Sequence, residues 1–314
     1  MPVRTLPVIV GPTGSGKTEV SKLLAQQHHI PVINADSRQI YRDIPIGTAA
    51  PTEAEQQQVK HYFVGTHSLK ESYNAGQYER DAVSLIERLM AETDSDPIAI
   101  LSGGSMMYAD AVCYGLDDIP SVPSPIRQAV QEEYAAKGLA WLQEAVRSVD
   151  NTYFITMSDQ KNPQRLMHAL EIYRATERPY STFRQRKLTV RPWRTVKIGL
   201  SLPRDILYQR INERVIRMMD AGLEAEARKA FEGIKDERDI PNSLCTVGYN
   251  EMWRYIRGEW SLEQTIAMIQ QNSRRYAKRQ LTWFRRQTDI HWVERLQPEE
   301  QLLKQINNLI SSTL

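Results

Sequence analysis

The sequence predicts an α/β protein: a parallel sheet flanked by helices, a mostly helical insertion, and a helical C-terminal region. Three observations predict it. Residues 6–10 (LPVIV) form an apolar run, followed at once by a glycine-rich turn and then by helical spacing over residues 19–25 (EVSKLLA). Further short apolar runs, PVINAD at 31–36, PIAIL at 97–101 and VKIGL at 196–200, alternate with helical patterns. Strands alternating with helices imply a parallel sheet covered on both faces. The alternation then stops between about residue 118 and residue 190.

The glycine-rich turn reads Gly11-Pro12-Thr13-Gly14-Ser15-Gly16-Lys17-Thr18 and fits G-x-x-x-x-G-K-[ST]. Strand, glycine loop and helix together form the context the motif requires, so a P-loop NTPase-like core is expected. Glycines let backbone N–H groups turn toward anionic oxygens, and the helix N-terminus adds a favourable field. Lys17 is expected to reach the outer phosphates and Thr18 to ligate Mg²⁺. The motif specifies a polyphosphate, not a nucleotide.

The strand at 31–36 ends on Asp36, and the strand at 97–101 runs into Ser102-Gly103-Gly104-Ser105. Ligands of such sheets sit at the carboxyl ends of the strands, so Thr13, Asp36 and Ser105 should converge. A carboxylate there accepts a proton or binds Mg²⁺ through water. An aspartate capping the next turn is the competing reading for Asp36. The second strand ends without an acid, which disfavours ordinary ATP chemistry, although Asp36 itself could hold a metal.

Three segments are expected: a first part of the core at 1–117, a helical insertion at 118–190 opened by the proline-rich PSVPSP, and core completion with C-terminal helices at 191–314. Helical patterns run over 126–137 and 164–176 within the insertion. Hydrophobic content of 41% and charged content of 25% over 314 residues describe an ordinary globular protein. No apolar run has the roughly 18 residues of a membrane span, and the first strand begins too early for a signal peptide. Cys113 and Cys245 are the only cysteines, too few for a disulfide framework or zinc cluster. A cytoplasmic protein, monomeric and without a membrane partner, is expected.

The net charge of +2 hides an asymmetry. Residues 1–160 carry 12 basic and 20 acidic side chains, whereas residues 161–217 carry 14 basic and 4 acidic ones. Residues 273–287 add 6 basic groups and no acid. On a helix at roughly 100° per residue these last cations fall within an arc of about 140°, with Tyr276, Ala277, Leu281, Trp283 and Phe284 on the remainder. The aromatics therefore read as core and the stripe as suited to a phosphate backbone. Arg210, Arg214 and Arg217 share another helix face; phosphate binding and surface pairing with Glu213 or Asp205 are both open. His61, His67 and His168 have no metal-ligand spacing.

Taken in order, GPTGSGKT, DSRQIY with IGTA, GGSMMY, NPQRLMHALEIY, RINERVIRMMDAGLEAEA, VGYNEMW and RRYAKRQLTWFRR resemble the tRNA dimethylallyltransferases over nearly the whole chain. Ala50 and His168 stand where the family commonly has cations, and Ser105 and Ser273 where it commonly has threonine. The resemblance implies transfer of a dimethylallyl group from dimethylallyl diphosphate to the exocyclic amine of the adenosine just 3′ of the anticodon. It implies that residues 11–18 hold diphosphate, with Mg²⁺ at Thr18. It implies Asp36 as base, Thr13 on the bridging oxygen and Arg214 on the leaving group. The tRNA anticodon stem-loop is implied as partner, with contacts from Asp36, Ser37, Arg38, Gln39, Ser105, Arg127, Gln164, Arg165, Leu166, Met167 and His168. The cations Arg274, Arg275, Lys278 and Arg279 are expected to join them. The rival readings are prenylation of free adenine nucleotides, a P-loop small-molecule kinase, and a non-catalytic RNA-binding module. The first does not need the distal cationic helix.

Overall fold

A computed structural model describes residues 3–185 and 188–312. Met1, Pro2, Arg186, Lys187, Thr313 and Leu314, the outer ends of the expected segments and two cations of the basic block, lie outside the described residues. In chain order the first elements are β1 (Thr5–Val10), α1 (Lys17–His28), β2 (Val32–Asn34), α2 (Pro45–Thr48), α3 (Glu53–Gln58), β3 (His61–Tyr62), α4 (Ala75–Glu92), β4 (Ile100–Ser102) and α5 (Met106–Tyr114). Then come α6 (Ser124–Val149), α7 (Asn151–Thr156), α8 (Pro163–Thr176), β5 (Arg194–Ser201), α9 (Arg204–Asp220), α10 (Leu223–Ala230), α11 (Tyr249–Ile256), α12 (Leu262–Phe284), β6 (Ile290–Glu294) and α13 (Glu299–Ser311).

The strands form one six-stranded sheet in the order β3-β2-β4-β1-β5-β6, and every pairing is parallel. All six residues of β1 are buried, as its uninterrupted apolar run requires of a strand covered on both faces. Val20 and Leu24 of α1 pack with Leu302 and Ile306 of α13 against Ile9, Ile100 and Ile198 of the sheet. The chain leaves β1 toward β2 on one side and leaves β4 toward β5 on the other. The crevice between the carboxyl ends of β1 and β4 is therefore the topological switch point, where open parallel sheets bind ligands.

The four strands expected from apolar runs are present, with edges shifted by a few residues. β3 and β6 were not anticipated. β3 has two residues, too few to show a period, and β6 (IHWVE) is an edge strand with two exposed positions.

The chain divides into two compact units, 1–113 with 190–314, and 114–189. The second unit is helical. Its core gathers Val130, Leu142 and Val146 of α6, Tyr153 and Phe154 of α7, and Leu166, Ala169 and Leu170 of α8. Gly138 breaks α6 internally. Asp150 caps α7 by accepting the Tyr153 N–H at 2.9 Å, and Asn162 caps α8 through the Arg165 N–H at 3.2 Å.

Candidate active site

A cavity of about 380 Å³ opens in the first unit at the switch point. Thr13, Lys17 and Thr18 line it from the P-loop, Asp36 to Gln39 from the end of β2, and Gly103 and Gly104 from the end of β4. α9 contributes Ile211, Arg214, Val215 and Met218, and α12 contributes Ile269, Ser273, Tyr276, Arg279 and Gln280. Residues 245–248 close a further side. The lining thus combines cations, a carboxylate and apolar side chains.

The P-loop takes its shape from its glycines. Gly16, the residue before α1, sits at φ 88°, a left-handed conformation that a residue with a Cβ rarely adopts. Lys17 donates to the Pro12 carbonyl at 2.9 Å, which holds its ammonium over the loop. Burial, reinforced by the Arg214 charge, pushes the Lys17 pKa down to about 8, while Asp36 pulls it the other way. Thr18 is exposed and lines the cavity.

Asp36 lies two residues beyond β2, in the crevice. Its Oδ1 accepts the Arg38 N–H at 2.9 Å, so the turn-capping reading holds for one oxygen. Among the described residues no hydrogen bond engages Oδ2. The two readings of Asp36 are compatible: one oxygen fixes the side chain and the other is available.

Arg214 is half-buried at the cavity wall, and desolvation lowers its pKa, with Asp36 opposing the shift. It donates to the Thr48 carbonyl at 3.1 Å. Its neighbours on the expected face part company with it. Arg217 is exposed and pairs loosely with Glu213 at 4.0 Å, as the surface alternative anticipated. Arg210 is half-buried and absent from the cavity lining.

Several expected contacts are used internally. Ser105 is 8% exposed, and its hydroxyl accepts the Ser37 N–H at 2.8 Å and donates to the Ser37 hydroxyl at 3.0 Å. The structure thus brings Thr13 and Asp36 into one cavity and places Ser105 behind Ser37 as its support. Gln39 donates to the carbonyls of Thr48 and Ala49, and Arg38 to those of Asn242 and Cys245. On α12, Arg275, Lys278 and Arg279 are exposed, while Arg274 is half-buried against Asn212. Trp283, expected in the core, is 41% exposed; its indole N–H donates to Asp110 at 2.9 Å, so the ring lies at the surface anchored by its polar edge.

In the second unit Arg127, Gln164 and Arg165 are exposed, and Met167 and His168 are half-buried. Leu166 is fully buried in that unit's core, which leaves its side chain no surface for a nucleic acid. Glu171, buried on α8, faces both Arg127 at 3.6 Å and His168 at 3.9 Å.

Sequence reasoning did not single out Glu226, whose Oε2 and Oε1 accept the N–H groups of Ile46 and Gly47 at 2.8 Å, or Gln280. No metal cluster of three or more His, Cys, Asp or Glu occurs among the described residues. No helix among them is long and apolar enough to cross a membrane.

The family model for IPP transferase matches residues 39–287. This chain belongs to that family. It is 47% identical over 297 residues to the tRNA dimethylallyltransferase 1 of Phocaeicola vulgatus, covering 95% of each chain. It is 40% identical over 285 residues to the tRNA dimethylallyltransferase of Cytophaga hutchinsonii, covering 91% of each. The crystal structure of the full-length tRNA isopentenylpyrophosphate transferase of Bacillus halodurans aligns with a TM-score of 0.69 at 32% identity, over 98% of this chain and 96% of the other.

Proposed function

We propose that this chain transfers a dimethylallyl group from dimethylallyl diphosphate to the exocyclic amine of the adenosine just 3′ of the anticodon in tRNA, releasing diphosphate. The observation that carries this reading is the arrangement of one cavity. Lys17, Arg214, Asp36 with one unengaged oxygen, and the apolar side chains of Val215, Met218 and Ile269 all line it, and the Asp36 charge acts on both cations.

The P-loop backbone and Lys17 bind the diphosphate, and Arg214 neutralises charge that grows on it as the carbon–oxygen bond breaks. Thr13 donates a hydrogen bond to the bridging oxygen. The amine lone pair is delocalised into the purine, so the nitrogen attacks effectively only as it loses a proton. Asp36 Oδ2 takes that proton, a role that contributes about 10²–10⁴-fold. The new bond joins the amine nitrogen to the allylic carbon, and the electron pair of the broken bond leaves on diphosphate. Holding nitrogen and carbon in line supplies the remaining advantage.

The donor set fits Mg²⁺. A hard cation is held by one or two protein oxygens together with substrate phosphates and water, and the Thr18 hydroxyl at the cavity would hold it beside the diphosphate. When bound, Mg²⁺ would neutralise part of the diphosphate charge.

The target base must leave its stack, at a cost of a few kcal/mol that is smaller in a single-stranded loop. Arg127, Gln164, Arg165, Met167 and His168 of the second unit, and Arg275, Lys278 and Arg279 of α12, bind the anticodon stem-loop. The exposed cations of α12 are what a free adenine nucleotide would not need. Purified protein given labelled donor should label unmodified tRNA and leave AMP unlabelled. Preference for AMP would move the assignment to a free-nucleotide prenyltransferase.

A further inference from the structure

Gln280 is a polar side chain on the buried side of α12, 2% exposed. Its Oε1 accepts the backbone N–H of Thr13 at 2.8 Å, and its Nε2 donates to the Gly104 carbonyl at 2.8 Å. Those partners fix the orientation of the amide, because an N–H requires an acceptor and a carbonyl requires a donor. Gly104 leaves room for the contact: a Cβ there would lie 2.6 Å from Nε2. One side chain therefore ties three elements at the switch point: the loop after β1, the loop after β4, and α12.

The tie to Thr13 has a chemical consequence. In a phosphate loop the backbone N–H groups point at the ligand. The Thr13 N–H instead points at Gln280, so the Thr13 peptide is held in one plane at the cavity that the residue lines. A buried N–H deprived of its acceptor would turn to find another, and the hydroxyl would turn with it.

We propose that Gln280 is a positioning residue for the transfer, acting through Thr13. Both ends of its amide are engaged by backbone groups; it orients the Thr13 hydroxyl and locks the loop after β4 to the same helix. This inference rests on the proposed reading of the site as a dimethylallyl diphosphate pocket.

The test is a double-mutant cycle on the full chain, with Gln280→Ala, Thr13→Ala and the pair, assayed with dimethylallyl diphosphate and unmodified tRNA. Gln280→Ala should lower kcat by about 10²-fold, the scale of a reacting group misplaced by roughly an ångström. The dissociation constants for inorganic diphosphate and for tRNA should change less than about threefold, since the amide is already spent on the Thr13 N–H and the Gly104 carbonyl. In the Thr13→Ala background the Gln280→Ala change should cost almost nothing more, because the hydroxyl it orients is already gone. Full multiplication of the two single effects would overturn the proposal, as would an unchanged kcat in Gln280→Ala. Gln280→Met, of similar length and apolar, runs the same cycle should the alanine variant fold poorly. Wild-type protein that leaves tRNA unmodified would instead remove the underlying reading, and this inference with it.

Discussion

Arg214 and Thr48 are joined through a single hydrogen bond, Nη2 to the backbone carbonyl at 3.1 Å, and that bond fixes a half-buried guanidinium in the lining of the cavity. The same carbonyl receives Gln39 Nε2 at 3.1 Å. α2 is therefore a fixed platform: its last carbonyl carries one cation and one amide of the site.

Arg214→Lys tests what the platform is for. Lysine is a point charge on a flexible stem and lacks the planar fork, so it cannot hold both the Thr48 carbonyl and a diphosphate oxygen in the same geometry. Loss of one oriented donor to a developing oxyanion costs about 10²–10³-fold. Steady-state kinetics should show kcat falling by that order, with thermal stability nearly unchanged.

Asp36→Asn should separate the two jobs of that side chain. Asparagine keeps an oxygen for the Arg38 N–H, so the turn survives, but it cannot take a proton. Turnover should fall at least about 10²-fold while tRNA affinity, measured by filter binding, stays within a few-fold. Equal losses of affinity and rate would make Asp36 a docking residue.

Lys17 sets a pH dependence. Its pKa of about 8 in the free protein means the ammonium is lost as pH rises through 8. kcat/KM for the donor should therefore fall above pH 8, toward a tenfold loss per unit. kcat should hold to higher pH, since bound diphosphate favours the charged form. Lys17→Arg, charged throughout, should abolish the alkaline limb whatever its absolute rate. The sign for stability is opposite: between pH 8 and the unfolded value of 10.5 the unfolded chain binds more protons at this site, so its contribution to stability rises with pH.

Glu226 holds the platform from behind. It accepts the Ile46 and Gly47 N–H groups at 2.8 Å and receives the Tyr249 hydroxyl. Glu226→Ala leaves these donors without a partner, at about 1–3 kcal/mol for each buried group left unpaired. Urea unfolding should show a loss of at least that size, and kcat should fall with it because Thr48 loses its support.

What was legible in the sequence was contiguous. The P-loop lies between a strand and a helix within residues 5–28, and its chemistry follows from residues side by side. Asp36 was legible because a carboxylate closes an apolar run. Gln280 and Glu226 act on backbone groups 267 and 180 positions away, and no local pattern carries such a relationship. One signal for Gln280 was present: on the helical wheel it sits at about 240°, between Tyr276 and Phe284 on the side opposite the cations. A polar residue on an apolar face implies a buried partner. Trp283 failed in the other direction, since its place on the wheel implied burial and its indole edge found Asp110 at the surface instead. Ser105 was read as a cavity residue from its strand end, yet its hydroxyl is spent on Ser37.

The central claim is that a phosphate loop here releases a carbon group and not a phosphoryl group, and product analysis tests it most directly. Protein, unmodified tRNA, Mg²⁺ and dimethylallyl diphosphate should give diphosphate and modified adenosine in equal amounts, the nucleoside heavier by one C5H8 unit. ATP offered in place of the isoprenoid should yield no ADP. Phosphoryl transfer from ATP, with the isoprenoid left intact and the adenosine unmodified, would contradict the account.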